Sequence, residues 1–339
     1  MVNLDWKNLP FGYVKTNYNV RCYYRNGAWG ELETSSSEYL DIHMAATALH
    51  YGQEAFEGLK AYRGQDGKIR LFRVEENAKR MARTASYIHM AMPPEDLFIK
   101  AVNTVIRLNK DFIPPFESGA SLYIRPLLIG TGPQVGVNAA NEYLLLMFVT
   151  PVGPYYKQGF TPIDALIERE SDRAAPLGTG HIKVGGNYAG SLQAQERAHK
   201  LGYSVAIYLD AREKKYIDEA GTANFFGIKN NTYITPESHS ILPSITNKSL
   251  MQLAEHLGLN VERRKIPVEE LATFEETGAC GTAAVISPFN KIDDLENKQT
   301  YQYCKNGKAG PVSLKLYEHL TGIQYGNVAD PFGWISIVE

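Results

Sequence analysis

Between Val152 and Gly180 the chain is crowded with residues that break regular structure. VGPYYKQGFTP (152–162) and RAAPLGTG (173–180) are rich in glycine, proline and turn-forming residues, a composition that forms neither a long helix nor a regular strand. Amphipathic segments flank this tract on both sides. A chain of 339 residues also exceeds what a single hydrophobic core ordinarily supports. Together these features predict two domains: a small α/β domain over 1–157, a connection over 158–171 and a larger α/β domain over 172–339.

Hydrophobic periodicity fills in both halves. VRCYY and KIRLFR read as strands bounded by the turn signals RNG and GQDG. Val74, Ala78, Met81, Ala85 and Ile88 recur at helical spacing. So do Leu97, Ala101, Val105 and Leu108, after a Pro-Pro start. SLYIRPLLIG and EYLLLMFVTP read as strands. The second half alternates again, with a helix over 187–201, the strand SVAIYLD, a hairpin NFFGIKNNTYITP, a helix over 246–257, the strand VERRKI, the strand and loop GACGTAAVIS, and a helix over 311–321.

Composition removes several classes of function. With 35 basic and 37 acidic residues and a formal net charge of −2, nothing favours nucleic acid as a partner. The longest apolar run, LLLMFV (144–149), is far short of the roughly 20 residues that cross a bilayer. Cys22, Cys280 and Cys304 have no metal-ligand spacing and are odd in number, which points to a reducing compartment, the cytoplasm, and to no metal site.

HIKVGGNY (181–188) sets Lys183 just ahead of a glycine pair, with Val184 between them. A lone lysine is ordinarily a solvated surface residue, so its meaning depends on what else the chain supplies. IDEAGTANFF places Glu219 beside Gly221 in a turn; alone, it reads as a solvated acid. LPSITN opens a helix, where Thr246 either caps the first turn or helps free N–H groups take an anion. Gly281-Thr282-Ala283 forms a second small-residue loop, suited to close backbone approach or simply ending a strand. Arg80 lies beside an apolar stripe and reads by itself as a surface arginine. In YIR (123–125), Tyr123 and Arg125 share one strand face while Leu122 and Ile124 take the core face. A lysine, a carboxylate, a phosphate-binding helix start and a carboxylate-binding arginine together are what pyridoxal 5′-phosphate requires.

KVGGNYA, DEAGTANFF, LPSIT, GTAA, FEGLKAYRG and SLYIRP, in this spacing, resemble the branched-chain amino acid aminotransferases of the class IV pyridoxal-phosphate enzymes. The resemblance runs from FGYV at 11 to IQYG at 323. It implies a mixed α/β, two-domain fold of the D-amino acid aminotransferase type (fold type IV), cofactor between the domains, and a homodimer. It implies transfer of the amino group of leucine, isoleucine or valine to 2-oxoglutarate. By position, Lys183 looks like the Schiff-base lysine, Glu219 the partner of the ring nitrogen, and Tyr188 the partner of the ring oxygen. Arg80, Ile245, Thr246 and Thr282 resemble the phosphate site, with Arg173 near it. Tyr51, Phe56, Tyr123 and Tyr155 resemble the wall around the substrate side chain, Arg125 the binder of the distal carboxylate, and Ala283 a donor to the α-carboxylate.

Where the family commonly reads LPGITR, this chain reads LPSITN, so Ser244 and Asn247 are departures. The redox CxxC of the animal enzymes has no counterpart in Ala284 to Ser287. D-amino acid aminotransferases and aminodeoxychorismate lyases share the lysine and the glutamate; the tyrosines and Arg125 favour branched-chain substrates. A binding module without turnover is the alternative from another class, against which both Lys183 and Glu219 speak. IGTGPQVG (129–136) superficially suggests dinucleotide binding, but Pro133 interrupts it and a strand follows where a helix is needed.

Overall fold

The computed structural model describes residues 4–153 and 160–338. The chain divides into two compact units. One comprises Met1–Lys157, Ile182–Gly185 and Gly322–Glu339; the other comprises Gln158–His181 and Gly186–Thr321. Two short crossings at 181/182 and 185/186 thus return Lys183 to the first unit, a detour that no composition signal marks.

The first unit is built on a nine-stranded sheet. Its path runs Ile335–Val338, Ile69–Phe72, Leu59–Arg63, Ser121–Gly130, Tyr143–Val152, Asn19–Arg25 and Ala28–Trp29. Glu33–Ser35 pairs with Asn19–Arg25, and Glu54–Phe56 with Ser121–Gly130. The longest ladder pairs Ser121 with Val152 through to Gly130 with Tyr143, antiparallel. A strand therefore follows the glycine-rich 129–136 segment, as expected. Helices Val74–Tyr87 and Glu95–Leu108 bury one face each against this sheet's core. Val74, Ala78, Met81 and Ala85 are buried as their spacing predicts. In the second helix the stripe is turned by one residue: Phe98, Ala101, Val102, Val105 and Ile106 are buried, while Leu97 and Leu108 sit at the margin.

The second unit also has a nine-stranded sheet: Ile217–Ala220, Val205–Leu209, Ile163–Glu168, Val285–Asp294, Glu276–Gly281, Ala223–Lys229, Thr232–Pro236 and Asn260–Arg264, with Gln299–Gln302 on Val285–Asp294. An additional pairing of Ile217–Ala220 with Ala223–Lys229 closes six of these strands into a ring. The link between them is only Gly221-Thr222. Gly221 has φ +59°, and a Cβ there would lie 2.8 Å from Val205 Cγ2, so both conformation and space require glycine. Phe225, Phe226, Tyr233 and Phe289 are buried in this unit's core.

Two expectations change. The tract over 158–171 holds a strand, Ile163–Glu168, paired in parallel with both Val205–Leu209 and Val285–Asp294. A strand buried on both faces shows no alternation, so it was hidden among its turn-rich neighbours. The single helix over 187–201 is two, Gly185–Ala189 and Leu192–Lys200, broken around Gly190. Among the described residues no helix is long and apolar enough to cross a membrane.

Candidate active site

In the first unit, the strand Glu54–Phe56 and the segment 182–185 are joined edge to edge. Phe56 N–H donates to the Lys183 carbonyl at 3.1 Å, and Lys183 N–H donates to Thr84 Oγ1 at 3.1 Å. Lys183 Nζ lies 4.6 Å from the centre of the Phe56 ring. The Arg125 guanidinium lies 5.0 Å from the same centre, so one phenyl ring meets two cations. Strand alternation delivers Arg125 and Tyr123 to this place: Leu122 and Ile124 are fully buried on the opposite face. Arg125 Nη2 donates to Tyr123 Oη at 3.0 Å. Its Nε is buried and carries no partner among the described residues, which leaves a desolvated donor suited to a carboxylate. The edge of Phe11 packs on Tyr123, centroids 5.3 Å apart.

Arg80 is no surface residue: 6% exposed, it forms a bidentate pair with Glu57, Nε to Oε1 and Nη2 to Oε2, both at 2.7 Å. Asn77 Nδ2 adds a bond to Glu57 Oε2 at 2.8 Å. Burial alone pushes the Glu57 carboxyl up. The charge and hydrogen bonds of Arg80, with the charge of Lys183 and the amide of Asn77, overcome that and hold it below the usual carboxylate range. Tyr51 directly follows the short helix Thr47–His50. It is 40% exposed, with its ring stacked on His50 and its hydroxyl on the Val135 carbonyl. Tyr155 lies outside the described residues.

In the second unit, Glu219 is 2% exposed at the end of Ile217–Ala220. Its Oε1 accepts from Asn224 Nδ2 at 2.6 Å and from Leu242 N–H at 3.1 Å, and its Oε2 pairs with Arg173 Nε. These donors favour the ionised carboxylate. Arg173 Nη1 donates to the carbonyls of Gly180 and Ser240 at 3.1 and 2.6 Å. Arg173 is thus held between the Glu219 carboxylate and these two carbonyls.

The helix Ile245–His256 begins one residue earlier than its periodicity suggested, and its cap is Ser244, not Thr246. Ser244 Oγ accepts from Asn247 N–H at 3.2 Å, leaving the N–H groups of Ile245 and Thr246 uncommitted among the described residues, at the positive end of the helix. The other departure, Asn247, is structural: its Oδ1 accepts from Tyr233 Oη at 2.8 Å and its Nδ2 donates to Thr235 Oγ1 at 2.9 Å. Thr282 and Ala283 form the turn joining Glu276–Gly281 to Val285–Asp294. Val285 closes that turn at φ +64°, a strained conformation for a β-branched residue. Tyr188, half-buried, lies in the short helix Gly185–Ala189. Cys280 is buried nearby in sequence, its thiol pushed up to about 12 by burial, which suits an inert residue.

Residues 54–292 match the family model for amino-transferase class IV. The chain belongs to the class IV aminotransferases. It is 47% identical to the branched-chain-amino-acid aminotransferase of Haemophilus influenzae over the full length of both proteins. It is 48% identical to that of Helicobacter pylori, over 98% of this chain and 97% of the relative. Among solved structures, the branched-chain amino acid aminotransferase of Escherichia coli superposes with a TM-score of 0.80 at 29% identity, covering 96% of this chain and all of the other. The T.th. branched-chain amino acid aminotransferase complexed with N-(5′-phosphopyridoxyl)-L-glutamate gives 0.80 at 27% identity, with the same coverage.

Class IV aminotransferases work with pyridoxal 5′-phosphate. Each unit carries groups whose chemistry fits that cofactor: an ε-amine on Lys183 in the first, and in the second a buried carboxylate on Glu219 and helix N–H groups at Ile245 and Thr246 uncommitted among the described residues. Sequence reading missed Glu57 and Thr84. A signal existed, since Asn77, Arg80 and Thr84 recur at helical spacing along an otherwise buried helix face. Three polar residues in such a row need buried partners, which Glu57 and the Lys183 backbone provide.

Proposed function

We propose that this class IV aminotransferase is a branched-chain amino acid aminotransferase, transferring the amino group of L-leucine, L-isoleucine or L-valine reversibly to 2-oxoglutarate. The observation that carries the reading is the Phe56 ring, with Lys183 Nζ and the Arg125 guanidinium 4.6 and 5.0 Å from its centre. An amine, an apolar surface and a guanidinium with an open buried donor stand together. That combination suits one substrate with a hydrocarbon side chain and another with a second carboxylate. The names of the Haemophilus influenzae and Helicobacter pylori relatives support the same substrate class.

When bound, pyridoxal 5′-phosphate supplies an aldehyde that takes the amino group and a ring that draws off electrons. In this reading Lys183 holds the cofactor covalently, and its ε-amine moves the substrate's α-proton. Glu219, kept ionised by Asn224, Leu242 N–H and Arg173, retains the proton on the ring nitrogen. Tyr188 donates to the ring oxygen. Arg80, the N–H groups of Ile245 and Thr246, and Thr282 would receive the phosphate, with Arg173 near it. Ala283 N–H holds the α-carboxylate. Phe56 and Tyr123, with Tyr51 and Tyr155, contact the branched side chain, and Arg125 takes the distal carboxylate.

The reading places the enzyme in the cytoplasm as a homodimer. Three free, buried cysteines suit a reducing compartment. An exposed apolar surface on the first unit, including Met44, Leu49, Tyr51, Val135 and Val137, suits a second copy of the chain. The test is the absorbance spectrum of the purified protein before and after L-leucine or D-alanine, followed by borohydride trapping and peptide mapping. A leucine-dependent change with pyridoxyl label on Lys183 supports the reading. No label at that position, or a response to D-alanine alone, overturns it.

A further inference from the structure

Glu54 faces the segment that carries Lys183. Its Oε1 accepts the Gly185 N–H, and this bond completes a set of three. Phe56 N–H holds the Lys183 carbonyl, and Thr84 Oγ1 holds the Lys183 N–H. Thr84 is fully buried. Glu54 and Phe56 are alternate residues of one strand, in register with Ile129 and Leu127, so the strand grips the segment at two points spaced two residues apart on each side. At Gly185 a Cβ would meet the end of the Glu54 side chain, which would have to move off the Gly185 N–H to make room. At Gly186 a Cβ would meet nothing within 4 Å. The glycine pair therefore has one member that borders the Glu54 contact and one that does not.

The location matters because the chain passes from one unit to the other at 185/186. A lysine side chain has four rotatable bonds, and two following glycines give its backbone ample freedom. An amine that must return to the same reacting carbon on each turnover needs its backbone held to within about 0.5 Å. A misplacement of about 1 Å costs roughly a hundredfold in rate.

We propose that Glu54 is a positioning residue for Lys183, fixing the backbone of the 182–185 segment through Gly185 N–H so that the ε-amine is held in reach of its reacting partner. The inference rests on the assignment of Lys183 as the cofactor-binding amine. Burial raises the Glu54 carboxyl, and the Gly185 N–H and the charge of Arg125 pull the other way; either protonation state keeps an oxygen that can accept the N–H.

The test uses Glu54→Ala, Glu54→Gln and Thr84→Val in the full chain. Hydrogen exchange of the peptide spanning 181–188 is measured in the cofactor-free protein, together with kcat and KM for L-leucine in the loaded one. Glu54→Ala is expected to speed exchange in that peptide at least tenfold and to lower kcat by about 10- to 100-fold, with KM changed less than threefold. Glu54→Gln, whose amide oxygen accepts the same N–H, is expected to restore both to within about threefold of wild type. Thr84→Val removes the acceptor at the other end of the clamp and should repeat the Glu54→Ala pattern, which keeps the test decisive if Glu54→Ala fails to fold. Wild-type exchange and kcat in Glu54→Ala overturn the proposal. So does a Glu54→Gln as impaired as the alanine variant, since charge beside Arg125 would then be the operative property. Borohydride labelling of wild type separates the two levels: without label on Lys183 the functional reading falls, while exchange still decides whether Glu54 holds the segment.

Discussion

Glu57 and Glu219 are both fully buried acids, and the structure gives each a different kind of company. Glu57 is matched by Arg80, so removing its charge takes the carboxylate from a buried guanidinium, at a cost of roughly 3–5 kcal/mol. Its carboxyl is held below the usual range. A depressed folded value contributes stability that is complete above the unfolded carboxylate value, about 4.3, and disappears as pH falls through the folded value. Glu57→Gln is therefore expected to be less stable than wild type in urea unfolding at pH 7, with the gap narrowing as pH drops below about 4.3. A gap that stays constant down to acid unfolding would contradict the pairing. Glu219 is held by two N–H donors as well as by Arg173. If it acts on the cofactor ring, Glu219→Ala should lower kcat by at least about a hundredfold and leave KM for leucine within a few-fold, the pattern of an interaction made mainly in the transition state. Steady-state kinetics on the cofactor-loaded variant read this directly, and unchanged kcat would remove Glu219 from the chemistry.

At the scale of elements, the amphipathic segments were legible and the buried ones were not. Val74 to Ala85 could be read as a helix because one face is apolar and the other wet; Ile163–Glu168 could not be read as a strand because both of its faces are buried. The alternation in Ser121–Gly130 told which side Tyr123 and Arg125 take, yet nothing in it told that Phe56 would stand beside Arg125, since that pairing depends on sheet register. The same limit hid Glu57: its motif was visible, but the acid acquires a role only when the helix row Asn77, Arg80 and Thr84 is laid against it. Helix starts show what local reading can reach. Ser244 caps Ile245–His256 by accepting from Asn247 N–H, so Ser244→Ala should cost about 1 kcal/mol of stability while Ser244→Gly costs a few tenths, measured by chemical denaturation. The N–H groups of Ile245 and Thr246 are untouched by either change, so phosphate affinity, followed by cofactor titration, should move less than threefold. A large loss of affinity in Ser244→Ala would mean that the hydroxyl itself serves the anion.

At the scale of the whole molecule, the surface of the first unit poses a problem that the monomer does not solve. Met44, Val135 and Val137 are 89%, 84% and 85% exposed, with Leu49 and Tyr51 also open. They are not scattered. Ala46 bridges Pro133, Gln134 N–H donates to the Ala45 carbonyl at 2.9 Å, and the Tyr51 hydroxyl reaches the Val135 carbonyl, so segments 44–51 and 133–137 form one ordered surface. Its backbone bonds show that the apolar side chains are held outward by structure. Each apolar Å² removed from water contributes about 25 cal/mol, so covering this face with a second copy of the chain would be favourable. In a two-fold dimer each residue enters the contact twice, so one substitution acts twice. The wild-type protein is expected to sediment at twice the chain mass at micromolar concentration. Val135→Asp combined with Val137→Asp, which places four carboxylates in that contact, should shift it to the mass of one chain without altering the far-ultraviolet circular dichroism, since neither side chain supports the sheet. A monomeric wild type, or a double variant that remains dimeric, would show that this surface is not where the copies meet.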